Sequence, residues 1–251
     1  MIIKTPEAGD LEGMKTLWQE AFGDTDAFIE AFFRTAFSPD RSRIAVADGP
    51  VAALYWFDCQ WKGKTLAYIY AVATRKECRG RGICRQLMEA THKELARLGY
   101  AGALLVPAQK PLFDFYGKMG YRPCCPVTVC TGVAAGEPVM LQSIGAQDYA
   151  SARRAWLPAG SVEQDGTALE FLGTYCDFYA GEQVLFAAGR HEDQVYFQEF
   201  FGDTEKIPGI LAALGGKAGS VRIPGSLKPL AMYHSLDGAD DLPGYFGIPL
   251  D

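Results

Sequence analysis

The chain of 251 residues has only three histidines, His92, His191 and His234, and they are scattered. Its seven cysteines form no C-x-x-C pair and no repeated spacing. A zinc site and a disulfide framework are therefore not expected, and the thiols read as reduced, in a cytoplasmic protein. No run of about 18 uninterrupted apolar residues is present, which gives no reason to expect a membrane span. The opening MIIKTPEAGD carries no basic stretch followed by an apolar one, so a secretory leader is not expected. There is no basic excess either. The formal net charge is −6, which argues against nucleic acid as the main partner. An acidic balance is compatible with a cationic substrate such as an amine, and with solubility alone.

What is present is an ordinary globular composition. Hydrophobic residues make up 49% and charged residues 22%, enough to bury a core without disulfide staples. Leu11, Met14, Leu17, Trp18, Ala21 and Phe22 recur at helical spacing after Asp10, a plausible N-cap. A second helical segment covers about 27–37. Apolar runs at 43–48 and 51–57 flank Gly49-Pro50 and predict a hairpin, and 65–74 predicts a long strand. The segment 82–98 predicts a helix with Ile83, Leu87, Thr91, Leu95 and Leu98 on one face and Gly99 beyond its end. A strand at 103–106, a short helix at 112–119 behind Pro111 and a strand at 120–130 follow.

Residues 131–138, TGVAAGEP, read as a linker. Beyond it come helical patterns at 147–156 and 167–179, strands at 183–188 and 194–201, a helix at 204–214 and strands at 220–223 and 229–235. The two halves share one coarse order of elements without a residue-level repeat, which suggests a duplicated fold. The expected domains are 1–130 and 139–251.

The informative stretch is YAVATRKECRGRGIC, residues 70–84. A strand enters it and an amphipathic helix leaves it, with Arg79-Gly80-Arg81-Gly82 between. Glycines let backbone amides turn toward one point, and a helix start adds partial positive charge, so the turn reads as an anion cradle. It is not a phosphate loop of the G-x-x-x-x-G-K-[ST] kind, since no Lys-Ser or Lys-Thr follows the glycines. It is not a dinucleotide fingerprint, because Arg85 stands at the third glycine position.

The turn resembles the loop [QR]-x-x-G-x-[GA] of the GNAT acetyltransferases. Arg79 and Gly82 take fixed positions, and Cys84 stands where the family has Gly or Ala. PLFDFYGKMGY, residues 111–121, resembles the closing segment of the same family. The resemblance covers residues 1 to about 130. It implies an α/β (α+β) GNAT fold, with a mixed, mostly antiparallel sheet flanked by helices, and acetyl-CoA as cosubstrate with no metal. It implies that backbone groups of Val72, Ala73 and Thr74 hold the pantetheine arm. The amides of Gly80, Arg81, Gly82, Ile83 and Cys84 would hold the pyrophosphate, and Arg79 and Arg81 would add charge. It also implies that Tyr116 points at the cofactor sulfur. Thiols have a pKa of about 8.5 and phenols about 10, so a phenol can donate a proton as the thiolate departs. An alkylamine has a pKa of about 10.4 and must lose a proton to attack. Glu20, Asp24, Asp26 and Glu30 cluster where the family contacts its acceptor, and none stands out as the base.

The tandem arrangement resembles the Eis-type acetyltransferases, with a degenerate second half. There Gly202-Asp203-Thr204 replaces the arginine-glycine turn, and a carboxylate would repel pyrophosphate. The final residues, Tyr245 to Asp251, are apolar up to the last one, so the tail is expected to pack. The resemblance implies that the terminal carboxylates of Asp251 reach Tyr116, where they orient that phenol or accept the proton of the amine. The expected function is transfer of an acetyl group from acetyl-CoA to a primary amine of a small molecule or peptide. The alternative is a silent acyl-CoA-binding or scaffold protein. A homo-oligomer is left open.

Overall fold

Alternation along residues 50–61 buries side chains on both faces of one strand. Leu54 and Trp56 lie on one face, Tyr55 and Phe57 on the other. The computed structural model describes residues 1–250, and Asp251 lies outside the described residues. In chain order the first elements are β1 (Ile2–Lys4), α1 (Leu11–Phe22), α2 (Asp26–Thr35), β2 (Ser42–Val46), β3 (Pro50–Trp61) and β4 (Lys64–Thr74). Then come α3 (Ile83–Arg97), β5 (Gly102–Leu105), α4 (Lys110–Gly117) and β6 (Arg122–Val133). The second series is β7 (Leu141–Ile144), α5 (Ala146–Arg153), α6 (Thr167–Leu172), β8 (Asp177–Gly181), β9 (Val184–His191), β10 (Gln194–Gly202), α7 (Ile207–Ala213), β11 (Ala218–Pro224) and β12 (Lys228–Ser235).

The chain forms two units. The first is Met1–Arg122 with Met232–Leu242; the second is Pro123–Ala231 with the segment that starts at Pro243. In the first unit the strand order is β1-β2-β3-β4-β5-β12, antiparallel throughout except for the parallel pair β4/β5. Helix α3 packs on β2 to β5, and its buried face of Leu87, Met88 and Leu95 meets Leu54, Trp56, Ile69 and Leu105. Truncating one such leucine to alanine costs about 2–5 kcal/mol. The opposite face of the sheet carries an aromatic layer of Trp18, Phe32, Tyr55 and Tyr70, with Trp18 and Phe32 ring centres 4.7 Å apart. Leu98, expected on the buried face of α3, is half exposed because it already belongs to the C-terminal turn, and Gly99 takes the left-handed conformation.

The second unit repeats the plan with the order β7-β8-β9-β10-β11-β6, again antiparallel except for one parallel pair, β10/β11. Its core gathers Phe186, Phe197 and Phe200 of the sheet under Ile207, Ile210 and Leu211 of α7.

Several expectations are corrected. Thr131 to Val133 are not linker: they pair with Ser220, Gly219 and Ala218 of β11. The pattern 167–179 is not one helix. It stops at Leu172, and Asp177 begins a strand paired with β9. The units also depart from the contiguous halves 1–130 and 139–251. The strand after α4 pairs with β11 of the second unit, and the strand after β11 pairs with β5 of the first.

Candidate cofactor cleft and active site

The cleft begins where two parallel strands part. Pairing of β4 with β5 runs through Leu66↔Gly102, Ala67↔Ala103 and Tyr68↔Leu104 and then ends, while β4 continues to Thr74. A bulge helps to part them. Tyr70 pairs with Tyr55 and Ala73 with Ala53, so Ala71 and Val72 both stand opposite Leu54, and Ala71 is left-handed at φ 47°. An extra residue of this kind bends and twists a strand. Val72, Ala73 and Thr74 therefore line a cleft of about 610 Å³ on the edge that β5 has left.

The turn leaving β4 is anchored by the amide of Arg75, which donates to Val51 O at 2.9 Å. Gly80 and Gly82 adopt φ of 76° and 75°, which only glycine reaches without strain. Gly82 is the N-cap of α3 and supplies no side-chain cap, so the first amides of a 15-residue helix open toward the cleft. Arg79 donates from Nε to the Thr74 carbonyl at 3.0 Å, bracing the turn and occupying one of the strand oxygens expected to serve the pantetheine. Arg79, Gly80, Gly82, Ile83, Cys84 and Arg85 all line the cleft. Arg81 is exposed and is not among the lining residues. Burial pushes the Cys84 thiol up to about 11, against a hydrogen bond with Thr74, so it is a neutral filler at the helix start.

Tyr116 comes to the cleft from α4 and is 7% exposed. Burial, and then the neighbouring Cys84, holds its hydroxyl well above the ordinary phenol range. The ring therefore keeps its proton and can donate a hydrogen bond to negative charge developing beside it. Burial weakens a phenol as an acid but raises the proton affinity of a thiolate in the same dry site, so the two stay matched.

Three of the four clustered acids of the first two helices have other partners; Glu20 is exposed and lies outside the cleft lining. Asp24 accepts from Trp18 Nε1 at 2.7 Å, Asp26 from Gln19 at 2.9 Å and Glu30 from Lys15 at 2.6 Å. From that side the cleft is walled by Ala21 and Phe22, and across it by Leu112 and Phe115. Among the described residues the lining holds two arginines and no carboxylate or imidazole. Asp251, expected as proton acceptor, lies outside the described residues. The tail before it packs as anticipated: Tyr245 to Leu250 are buried. Gln164 pairs with the backbone of Ile248 through both its amide atoms, and Tyr245 donates to Glu199 at 3.0 Å.

Among its described residues the second unit lacks both parts of the cleft. At its corresponding turn the Asp203 carboxylate accepts from the amide of Glu205 at 2.9 Å, filling the place an anion would take. Only residues 225–227 separate β11 from β12, where the first half has α4 and Tyr116.

The cleft residues that sequence reasoning missed are Ala21, Phe22, Cys78, Arg85, Ala108, Gln109, Leu112 and Phe115. Phe22 and Phe115 are large aromatics left partly exposed, a feature that only the structure reveals. Tyr121 and its partners His92 and His234 were also missed, since nothing in their spacing joins them.

Residues 3–124 match the family model described as an acetyltransferase (GNAT) domain. Comparison with curated proteins gives no significant match. Among solved structures the chain is similar to a GCN5-related N-acetyltransferase from Kribbella flavida, with a TM-score of 0.70 and 17% identity over 94% of this chain and 71% of that one. It is similar to a probable N-acyltransferase from Enterococcus faecalis, with a TM-score of 0.68 and 15% identity over 94% and 73%. It is also similar to Eis1 from Mycobacterium abscessus, with a TM-score of 0.64 and 11% identity over 94% and 74%. At such identities the likeness carries the fold. The matched segment spans the bulged strand, the glycine turn and Tyr116, and residues 3–124 are thereby identified as a GNAT acetyltransferase domain.

Proposed function

We propose that the protein transfers an acetyl group from acetyl-CoA to a primary amine by direct attack in a ternary complex. The observation that carries this reading is one cleft with three properties. An uncapped helix start behind two left-handed glycines opens into it, its charged lining is arginine alone, and a buried protonated tyrosine stands at its wall. Amides and arginines suit the pyrophosphate, and the edge of Val72 and Ala73 suits the amide-bearing pantetheine. In the reaction the amine nitrogen bonds the thioester carbon, the C–S bond breaks and the sulfur leaves with the proton of Tyr116. The amine must shed a proton in the same sequence. With no acid in the described lining, Asp251 is our candidate to accept it. The second unit, without cradle or tyrosine, would bind no second cofactor.

The test is product analysis by mass spectrometry after incubation with acetyl-CoA and a panel of aminoglycosides, polyamines, amino acids and peptides. An acetylated amine is expected. Asp251→Asn should slow its formation while leaving acetyl-CoA binding intact. Binding of acetyl-CoA without any acetylated product would favour the silent acyl-CoA-binding reading, which the absence of a base in the described lining keeps open.

A further inference from the structure

Behind Tyr116, on the side away from the cleft lining, two of the three histidines of the chain meet a second tyrosine. His92 of α3 places Nε2 2.8 Å from the Tyr121 hydroxyl. The His92 and His234 rings stack with centres 4.6 Å apart and planes at 28°. His234, on β12, bonds through Nδ1 to the Gly120 carbonyl at 3.1 Å. A carbonyl only accepts, so Nδ1 carries the proton in that bond. The pair closes on the turn joining α4 to β6. A side chain at Gly120 would put its Cβ 2.9 Å from His234 Nδ1, and Gly120 is left-handed at φ 87°.

This assembly holds Tyr116 twice. The Tyr121 amide donates to the Tyr116 carbonyl at 3.2 Å, beside the Met119 amide at 2.9 Å. The Tyr121 ring stands edge-on to the Tyr116 ring, with centres 5.8 Å apart and planes at 63°. Burial, and then the His234 ring, push His92 down to about 4, so it stays neutral at working pH. Neither histidine lines the cleft.

We propose that Tyr121, His92 and His234 are positioning residues that fix the orientation of the Tyr116 ring for the acyl-transfer step. The proposal rests on Tyr116 being the group that serves the departing sulfur. A ring turned only slightly away loses its hydrogen bond to that sulfur without weakening the hold on the rest of the cofactor, so the effect falls on kcat.

The experiment compares His92→Leu, His92→Gln and Tyr121→Phe with Tyr116→Phe and the parent, all in the full chain. It measures kcat, KM for acetyl-CoA and thermal stability. Leucine keeps the bulk at position 92, whereas the glutamine amide reaches where Nε2 stands. His92→Leu and Tyr121→Phe are expected to lower kcat by about tenfold with KM changed by less than about twofold. His92→Gln is expected to restore most of the loss. The double variant His92→Leu with Tyr121→Phe should be no slower than either alone, because one hold is being removed twice. Equal kcat in the leucine and glutamine variants, or parent kcat in Tyr121→Phe, would overturn the proposal. If those variants are as fast as the parent while Tyr116→Phe is slow, the positioning role fails and the tyrosine reading stands. Parent turnover in Tyr116→Phe sinks both. Fluorine NMR of fluorotyrosine-labelled protein reads the hold without turnover. The Tyr116 signal, assigned by its loss in Tyr116→Phe, should be single in the parent and His92→Gln and broadened or split in His92→Leu. An unchanged signal in His92→Leu would count against the proposal.

Discussion

Tyr116 shows how one residue can be both core and chemistry. Its ring belongs to the cluster of Leu87, Ile69 and Leu105, yet its edge lines the cleft. Phenylalanine preserves the packing and removes the hydroxyl. Tyr116→Phe should therefore lower turnover by roughly 10²-fold with cofactor affinity almost unchanged, as measured by steady-state kinetics beside calorimetric binding. His92 gives a pH dependence of the opposite origin. Its ordinary value of 6.5 is pushed down to about 4 by burial and by His234, with Tyr121 as its hydrogen-bonded neighbour. Between those values the unfolded chain binds the extra proton and the folded protein does not. Its contribution is complete above pH 6.5 and declines as the pH falls, by up to roughly 3 kcal/mol near pH 4. Urea unfolding of the parent and of His92→Gln across that range should show the parent losing more stability on acidification. Parallel curves would mean that His92 titrates normally.

At the scale of elements, the informative unit is the strand, turn and helix running from β4 into α3. It was legible in the sequence because each signal is local: a β-branched and aromatic run, then two glycines, then leucines at helical spacing. The pairing that completes each sheet was not legible. Nothing between Arg122 and Val133 says that this strand serves β11 and leaves β5 to Met232–Ser235. The pattern 167–179 misled because apolar residues continue past Leu172, while strand pairing at Asp177 overrides helical spacing. The acids of α1 and α2 were legible as a cluster, but their hydrogen bonds to Trp18, Gln19 and Lys15 were not. The tail was read as packed from its composition, and what holds it is a buried polar cluster. Glu199, fully buried, takes hydrogen bonds from Arg153, Tyr149 and Tyr245, and Gly247 passes so close that a Cβ there would collide with its carboxylate. Glu199→Leu would strand the Arg153 charge in the core, at a cost of about 3–5 kcal/mol. Chemical denaturation should register that loss, and a change below about 1 kcal/mol would mean the cluster is not closed.

For the whole molecule, the two halves repeat one order of elements but not one chemistry. The first keeps the glycine cradle, the arginines and the tyrosine helix. In the second an aspartate carboxylate fills the cradle, and three residues stand where the tyrosine helix would be. Titration calorimetry should accordingly give one CoA per chain, and two equivalent sites would refute a degenerate second half. The central claim is that the turn at residues 79–84 holds acetyl-CoA for attack by an amine. It is tested most directly by amine-dependent release of free thiol from acetyl-CoA, measured side by side for the parent and for Gly82→Glu of confirmed fold. That substitution puts a side chain and a negative charge at the left-handed N-cap of α3. Thiol release by the parent that requires the amine and is abolished in Gly82→Glu is the predicted result. Release by Gly82→Glu at the parent rate, or none by the parent with any amine, would contradict it.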